Sequence, residues 1–234
     1  MTKKLNLRNV AVIFACLAVI VMFSGCDKNN GGDDDGNGNG NGNGSGKLKT
    51  MEEIIPLIPN FRFSAVNSTS IVQYAYLVIC EAGFAYSRSG LENQGHNNWA
   101  YCDYDAGKEY DLYRDETGVK LGFVKNVSAG AVEQAKKDIY LSDHASFLFH
   151  HEKFINDNME VIGKEKIAGR NATIYRYAEI PSMINTFWID DEIGITLKWT
   201  TNYGGGAEWK ILEIKFGGCH MSDWVSLSDY LMVQ

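Results

Sequence analysis

The sequence predicts a mainly β, α+β domain: a single curved antiparallel sheet or half-barrel with a central helical insert and a C-terminal helix. Three observations lead there. Short runs rich in β-branched and aromatic residues recur between 71 and 216, separated by turns that carry glycine. One stretch, 129–141, departs from this and repeats its apolar residues at helical spacing. The alternation resumes after it, so two strand-rich blocks flank one helical block.

Taken in order, 51–63 (MEEIIPLIPNFRF) reads as a short turn or helix broken by Pro56 and Pro59. Residues 71–80 (IVQYAYLVIC) are apolar on both faces and read as a strand. Strands follow at 83–88, 98–104, 108–114 and 119–125, with Gly83, Gly90, Gly95, Gly107 and Gly118 at or between them. In 129–141, Val132, Ala135, Ile139 and Tyr140 share a helical face. Ser128 stands at the N-cap, and Val127 and Val132 are placed as a hydrophobic staple. The stretch 142–156 has no clean period, and a second short helix is one reading of it. Strands then return at 159–167, 172–179, 184–190, 194–201 and 207–216. Ile195, Leu197 and Trp199 alternate with Thr196, Lys198 and Thr200. Leu212, Ile214 and Phe216 oppose Trp209, Ile211, Glu213 and Lys215. Residues 222–232 place Trp224, Leu227 and Leu231 at helical spacing, which predicts the C-terminal helix.

The region before this domain carries a different message. Lys3, Lys4 and Arg8 precede an unbroken apolar run, Val10 to Phe23. A basic start and a short apolar core form a secretory signal pattern, and the run is shorter than the ~20 residues needed to cross a bilayer. Phe23-Ser24-Gly25-Cys26 then resembles the lipobox of bacterial lipoproteins. That resemblance implies removal of residues 1–25, lipid on the Cys26 thiol, and acylation of the new amino group. Two or more acyl chains anchor stably where one does not. Residues 27–46 (DKNNGGDDDGNGNGNGNGSG) hold no apolar side chain, so 26–46 reads as a lipidated cysteine with a flexible tether. Such a tether has a root-mean-square span of roughly 25 Å and a stretched reach of roughly 70 Å. Asp33-Asp34-Asp35 resembles the acidic export signal of Bacteroidetes surface lipoproteins. An outer-membrane anchor facing either the cell surface or the periplasm is expected.

The domain proper is 47–234, long enough for one core. Without Lys3, Lys4 and Arg8 the chain keeps 19 basic against 29 acidic side chains, a formal charge of about −10. An acidic surface repels phosphate backbones, which argues against nucleic acid as a partner. It also gives no electrostatic pull to anionic lipid, so the membrane is reached through the anchor. Beyond Cys26 the domain holds Cys80, Cys102 and Cys219. In an oxidising compartment one disulfide can form, and Cys80 and Cys102, on consecutive strands, are the first pair to consider for it; three buried free thiols are the other reading, and the favoured one. No CxxC spacing occurs.

The second half has a cadence of its own. Gly163-Lys164-Glu165-Lys166-Ile167-Ala168-Gly169-Arg170 leads into Ala172-Thr173-Ile174-Tyr175. Then come Phe187-Trp188-Ile189-Asp190 and, past Gly194, Leu197-Lys198. This resembles LolA/LolB-like and related lipoprotein domains over about 158–200. The resemblance implies a half-barrel wrapped around helices, with an apolar concave face that takes acyl chains. LolA carriers are unlipidated, whereas this chain has an anchoring cysteine, and no family ligand residue maps onto a position here.

Several constellations fail as chemistry. His144, His150 and His151, near Asp143 and Glu152, lack an HExxH or comparable spacing. His96 is isolated, and Cys219 and His220 are sequence neighbours that diverge along a strand. Ser87-Arg88-Ser89-Gly90 follows Tyr86 and is no nucleophile elbow. Asp190-Asp191-Glu192 falls at a predicted turn, where exposed acids are expected, and Gly204-Gly205-Gly206 joins strands with no helix to cradle phosphate. Asp103, Asp105 and Asp111 do not follow EF-hand spacing. No catalytic set, metal or cofactor is expected. The expected function is non-enzymatic binding of a hydrophobic ligand, a lipid or acyl chain, in a concave site lined by residues such as Ile174, Trp188 and Trp199. The alternative is a surface-displayed structural or protein-interaction module without a small-molecule ligand.

Overall fold

The computed structural model describes residues 48–68, 72–89, 98–155 and 159–233, all within a compact unit spanning Gly44–Gln234. Cys26, the tether and His96 lie outside the described residues. Among the described residues, twelve strands form one unclosed sheet. The first six are β1 (Phe61–Ser68), β2 (Val72–Cys80), β3 (Gly83–Ser89), β4 (Asn98–Asp103), β5 (Lys108–Arg114) and β6 (Lys120–Asn126). After the helical insert come β7 (Glu160–Ile167), β8 (Arg170–Ile180), β9 (Met183–Asp190), β10 (Thr196–Thr201), β11 (Ala207–Phe216) and β12 (Leu231–Val233). Their spatial order is β12-β6-β5-β4-β3-β2-β1-β11-β10-β9-β8-β7. Every neighbouring pair is antiparallel except β12 with β6.

The predicted strands are present. The leading segment holds α1 (Met51–Ile54), and the insert begins with α2 (Ala129–Leu141), capped by Ser128 through its hydroxyl. The ambiguous stretch after α2 is a 3-10 helix, Ser146–Phe154, that buries Phe147, Leu148, Phe149 and His151. These side chains pack on one face of the sheet against Phe61, Phe63, Ala65, Leu77, Ile79 and Ile211. Alternation sends every second residue of a strand to the same side, so this helix-side face collects one parity of each strand.

Two elements differ from expectation. After α1 and a 3-10 turn at Ile55–Leu57, the leading segment enters β1, which the sequence pattern does not separate from the proline-broken turn. The expected C-terminal helix at 222–232 does not form. Single 3-10 turns at Met221–Asp223 and Leu227–Asp229 are followed by β12. The apolar residues there do not need a shared helical face, because the segment runs as a strap across the other face of the sheet. Trp224 meets Tyr76 edge-on at 5.3 Å, and Cys219, Met221 and Val225 join Tyr76, Val78, Ala85, Trp99 and Leu112 in a second core. Leu231 lies outside both cores, 65% exposed, and its strand satisfies the backbone of β6 instead.

Two of the four register shifts among the described strands tune the alternation beneath the insert. The register steps from Ser64↔Glu213 to Ala65↔Ile211, so Leu212 is the extra residue and is 41% exposed. Trp209, Ile211, Ile214 and Phe216 all serve the helix-side core as a result. A second shift between Thr196 and Lys198 lets Ile195, Thr196 and Leu197 be buried in succession. Leu148→Ala, at a fully buried position of the insert, should cost about 2–5 kcal/mol in urea unfolding, whereas Leu231→Ala should stay within about 0.5 kcal/mol.

Candidate functional site

The three residues expected to line one concave site do not converge. Ile174 pairs with Trp188 and Trp188 with Lys198, so all three point to the same side of the sheet. Lys198 Nζ sits 4.5 Å over the Trp188 ring, whose Nε1–H donates to Glu165 at 2.6 Å. Trp199 pairs with Phe187 on the opposite side. There it lies 4.3 Å from His150 and donates from Nε1 to Asn185 at 3.2 Å. One sheet stands between Trp199 and the other two.

The cadence from 163 to 198 encodes architecture. Ala168 and Gly169 both take positive φ, 49° and 80°, which closes the two-residue turn between β7 and β8. Arg170 follows and clamps Asp190: Nε donates to Oδ2 at 2.5 Å and Nη2 to Oδ1 at 3.0 Å. Asp190 also accepts from the backbone N–H of Glu192 and Ile193, at 3.1 and 2.7 Å. Asp191 accepts from the Thr173 hydroxyl. The acidic run is therefore spent on holding the β9–β10 turn. The Asp190 side chain is 1% exposed, so removing it leaves the Arg170 guanidinium with Glu192 alone and two amides without their acceptor.

The histidines are part of the packing. His151 is fully buried. Its Nε2 lies 3.1 Å from the Lys49 carbonyl and its Nδ1 2.9 Å from Thr196 Oγ1. A carbonyl only accepts, so Nε2 carries the proton and Nδ1 accepts from the hydroxyl. Burial pushes His151 down to about 4, opposed by its bond to Lys49. Burial acts likewise on His150 and, with the nearby Lys153 and His151 adding to it, brings that ring down to about 4. Lys49 in turn donates to the carbonyls of Glu192 and Ile193 at 2.9 and 3.1 Å. His151 thus ties the insert to β10 and to the start of the domain. Among the described residues no three His, Cys, Asp or Glu side chains gather as a metal would require.

Cys80 and Cys102, the pair named from the sequence, do not face each other. Cys80, Cys102 and Cys219 are free and buried. Cys80 pairs with Gly83 and Cys102 with Phe84, so the two cysteines sit on adjacent rungs and face opposite sides. Sulfur atoms separated by the sheet do not meet the geometry of a bridge.

Beneath the insert the sheet is packed solid, with Phe63 edge-on to Phe147 at 5.3 Å and Phe147 stacked on Trp209 at 4.9 Å. Two clefts among the described residues are open and mixed in lining. One, of about 350 Å³, lies along Lys164, Glu165, Lys166, Asn171 and Asp191. The other, of about 360 Å³, lies between α2 and the turn at Tyr104–Gly107.

Apolar surface is open elsewhere on the helix-side face. Tyr86, which stacks on His144 at 3.7 Å, pairs with Ala100 and so fixes the side to which Ala100 points. From there one row runs Ala100–Asp111–Phe123–Val233, and the next runs Asn98–Tyr113–Leu121–Leu231. Tyr113 and Phe123 stack at 5.6 Å with rings 11° apart. Phe123 is 45% exposed and Val233 37%. Asp111 within these rows has its carboxyl raised, by desolvation first and by Glu109 second. Sequence reasoning misses this shelf because it places Leu231 in a helix. The alternation of Leu121 and Phe123 with Lys120, Gly122 and Val124 is the available signal.

Comparison with family models and with curated proteins returns no match. Solved structures resemble this fold remotely. An uncharacterized conserved protein from Thermus thermophilus matches with TM-score 0.41 and 8% identity over 78% of this chain and 95% of that one. A MucA/MucB complex from Pseudomonas aeruginosa matches with TM-score 0.36 and 14% identity, over 74% of this chain and 58% of its counterpart. A LolA superfamily protein from Nitrosomonas europaea matches with TM-score 0.27 and 6% identity, over 75% and 96%.

Two outcomes follow from the buried polar groups. Asp190→Ala should lower stability by about 3 kcal/mol or more in urea unfolding. His151 has a folded pKa of about 4, below its unfolded value, so the unfolded chain binds more protons as pH falls. Its contribution is complete above about pH 6.5 and declines toward pH 4, by about 2 kcal/mol at pH 5. Melting temperature should fall over that window, and His151→Gln should flatten the fall while lowering stability at neutral pH.

Proposed function

We propose that this protein is an envelope lipoprotein, anchored through lipid on Cys26, whose domain is a non-enzymatic module that docks an apolar segment of a partner protein. The observation that carries this is the open shelf of Tyr113, Leu121, Phe123, Leu231 and Val233, which runs to a sheet edge with no strand beyond it among the described residues. Exposed apolar patches of this kind mark interaction surfaces. The two edges of the sheet differ in a way that supports the reading. β7 carries Glu160, Lys164, Glu165 and Lys166 and a bulge between Val161 and Gly163, features that block strand addition. β12 is Leu-Met-Val, uncharged and regular. An extended segment can add to that edge and lay its side chains on the shelf.

Binding of a lipid or acyl chain is the second reading, and the aromatic and aliphatic rows favour it. A small-ligand site normally encloses most of its ligand. The shelf is open on one side, which suits a macromolecular surface better. The anchor places the domain at the outer membrane, on the cell surface or facing the periplasm, and the tether gives it reach.

A photo-crosslinking amino acid at Phe123 or Leu231 of the intact lipoprotein, activated on living cells, should capture a defined protein. The same probe at Trp188 should not. Phe123→Glu should reduce capture from Leu231 about tenfold or more, the loss of one central apolar anchor. Solvent extraction of the purified protein should yield no stoichiometric lipid. A bound lipid together with absent crosslinks would replace this reading with the acyl-ligand one.

A further inference from the structure

We infer that Cys80 and Cys219 are the pair of thiols this fold brings together for a disulfide, a bond that fixes the C-terminal strap to the sheet. Phe61 pairs with Ile79, so the residue before β1, Asn60, lies level with Cys80. Cys219 is held on that same Asn60 from both sides. Its N–H donates to Asn60 Oδ1 at 2.9 Å, and Asn60 Nδ2 donates to its carbonyl at 3.3 Å. The next strand over gives the second fix. Cys80 pairs with Gly83, and a Cβ added to Gly83 would lie 2.8 Å from the Met221 sulfur. Segment 219–221 therefore starts beside Asn60 and its Met221 side chain reaches Gly83, with Cys80 between those two positions; in the reduced chain the Cys219 thiol lies 3.6 and 3.5 Å from the Lys215 and Gly217 carbonyls, and closure turns it from them toward Cys80.

Adjacent strands are about 4.8 Å apart. Two residues of backbone reach only about 7 Å, less than two such gaps, so the flexible Met221 side chain covers the rest of the way to Gly83 and the backbone between lies over the middle strand. Cys80 points to that side, since it belongs with Tyr76 and Val78 to the core under the strap, and Cys219 belongs to the same core. Both thiols are nearly inaccessible, at 7% and 1% exposure. Cys219 is also raised from its ordinary pKa, chiefly by burial, with the neighbouring Cys80 among the causes. Cys102 is excluded by its parity and is left as the unpaired thiol.

Closure follows ordinary thiol–disulfide exchange. The Cys80 thiolate attacks a disulfide oxidant and forms a mixed disulfide, releasing one thiol. The Cys219 thiolate then displaces the second thiol. Two protons and two electrons leave the protein, and the oxidant is reduced to two thiols. An envelope location, as proposed above, supplies such an oxidant, and the test below adds one directly so that its outcome is independent of that location. Because both thiols are buried, closure belongs to folding, before the strap seals the site.

The test uses the full chain with Cys16→Ser and Cys26→Ser, kept in detergent, so that only the three domain thiols remain. It is unfolded in urea with reductant and refolded in a mixture of reduced and oxidised glutathione. The mass should fall by about 2 Da, and proteolysis without reductant should give one linked pair of peptides joining Cys80 to Cys219. Adding Cys102→Ser should leave that product intact, and adding Cys219→Ser should abolish it. The melting temperature should rise by roughly 5–10 °C on closure and return on reduction. Peptides joining Cys102 to either partner, or three free thiols after refolding in the oxidant, would overturn the assignment. Peptide mapping of the chain with all three domain cysteines decides the matter even where a substituted chain folds poorly.

Discussion

The antiparallel pairing of β1 with β11 is the contact through which two otherwise separate meanders become one sheet. β2 to β6 are joined by successive connections, and so are β7 to β11, but the two blocks are separated in sequence by the whole helical insert. β1 pairs with β2 on one side and β11 on the other. Its Phe61, Phe63 and Ala65 are fully buried beneath the insert. Each buried phenylalanine contributes roughly 1.5–3 kcal/mol by leaving water, and the gain is available only once β11 has come back to close the gap. This is a long-range contact whose loop-closure entropy must be offset by burial. The insert supplies that burial, since Phe147 and Leu148 rest across the seam.

The rest of the molecule follows from how the two faces of that sheet are covered. The insert covers the helix-side face of the central strands, and the strap covers the opposite face of the first block. Neither reaches the helix-side rows of β5, β6 and β12, where the Tyr113–Phe123 stack remains open. Uneven cover, more than any catalytic constellation, is what gives this domain a distinct surface. The same logic explains the polar clusters. Arg170 with Asp190 and His151 with Thr196 and Lys49 stitch turns and insert to the sheet, and each group has the partners that its burial demands.

Much of the fold is legible in the chain because strand alternation and helical spacing are local. The strands from 72 to 126 and from 160 to 216, and the helix 129–141 with its Ser128 cap, lie close to where period and turn residues put them. The losses share a cause. β1 hides behind Pro56 and Pro59, because two prolines dominate a short window even when Phe61, Phe63 and Ala65 alternate cleanly after them. The C-terminal helix is a false period: Trp224, Leu227 and Leu231 fit a helix by spacing, but Trp224 and Leu227 find their burial against the sheet from an extended strap. The candidate site suffers more. Ile174, Trp188 and Trp199 are the kind of residue that lines a cavity, and composition cannot say that a sheet separates them.

What the sequence alone determined is what one stretch of chain can decide by itself. It defined the basic and apolar start with its lipobox-like cysteine, the apolar-free segment behind it, the order of strands around a helical insert, and the lack of a recognisable catalytic spacing. Tertiary structure decided everything that depends on which side of the sheet a residue takes and what lies across from it. Registers and bulges put Trp199 apart from Trp188 and turned Cys80 away from Cys102, and the return of the chain after β11 brought Cys219 onto Asn60. The physical reason is the period of two: a shift of one residue moves a side chain to the other face, and only the pairing of distant strands sets that count.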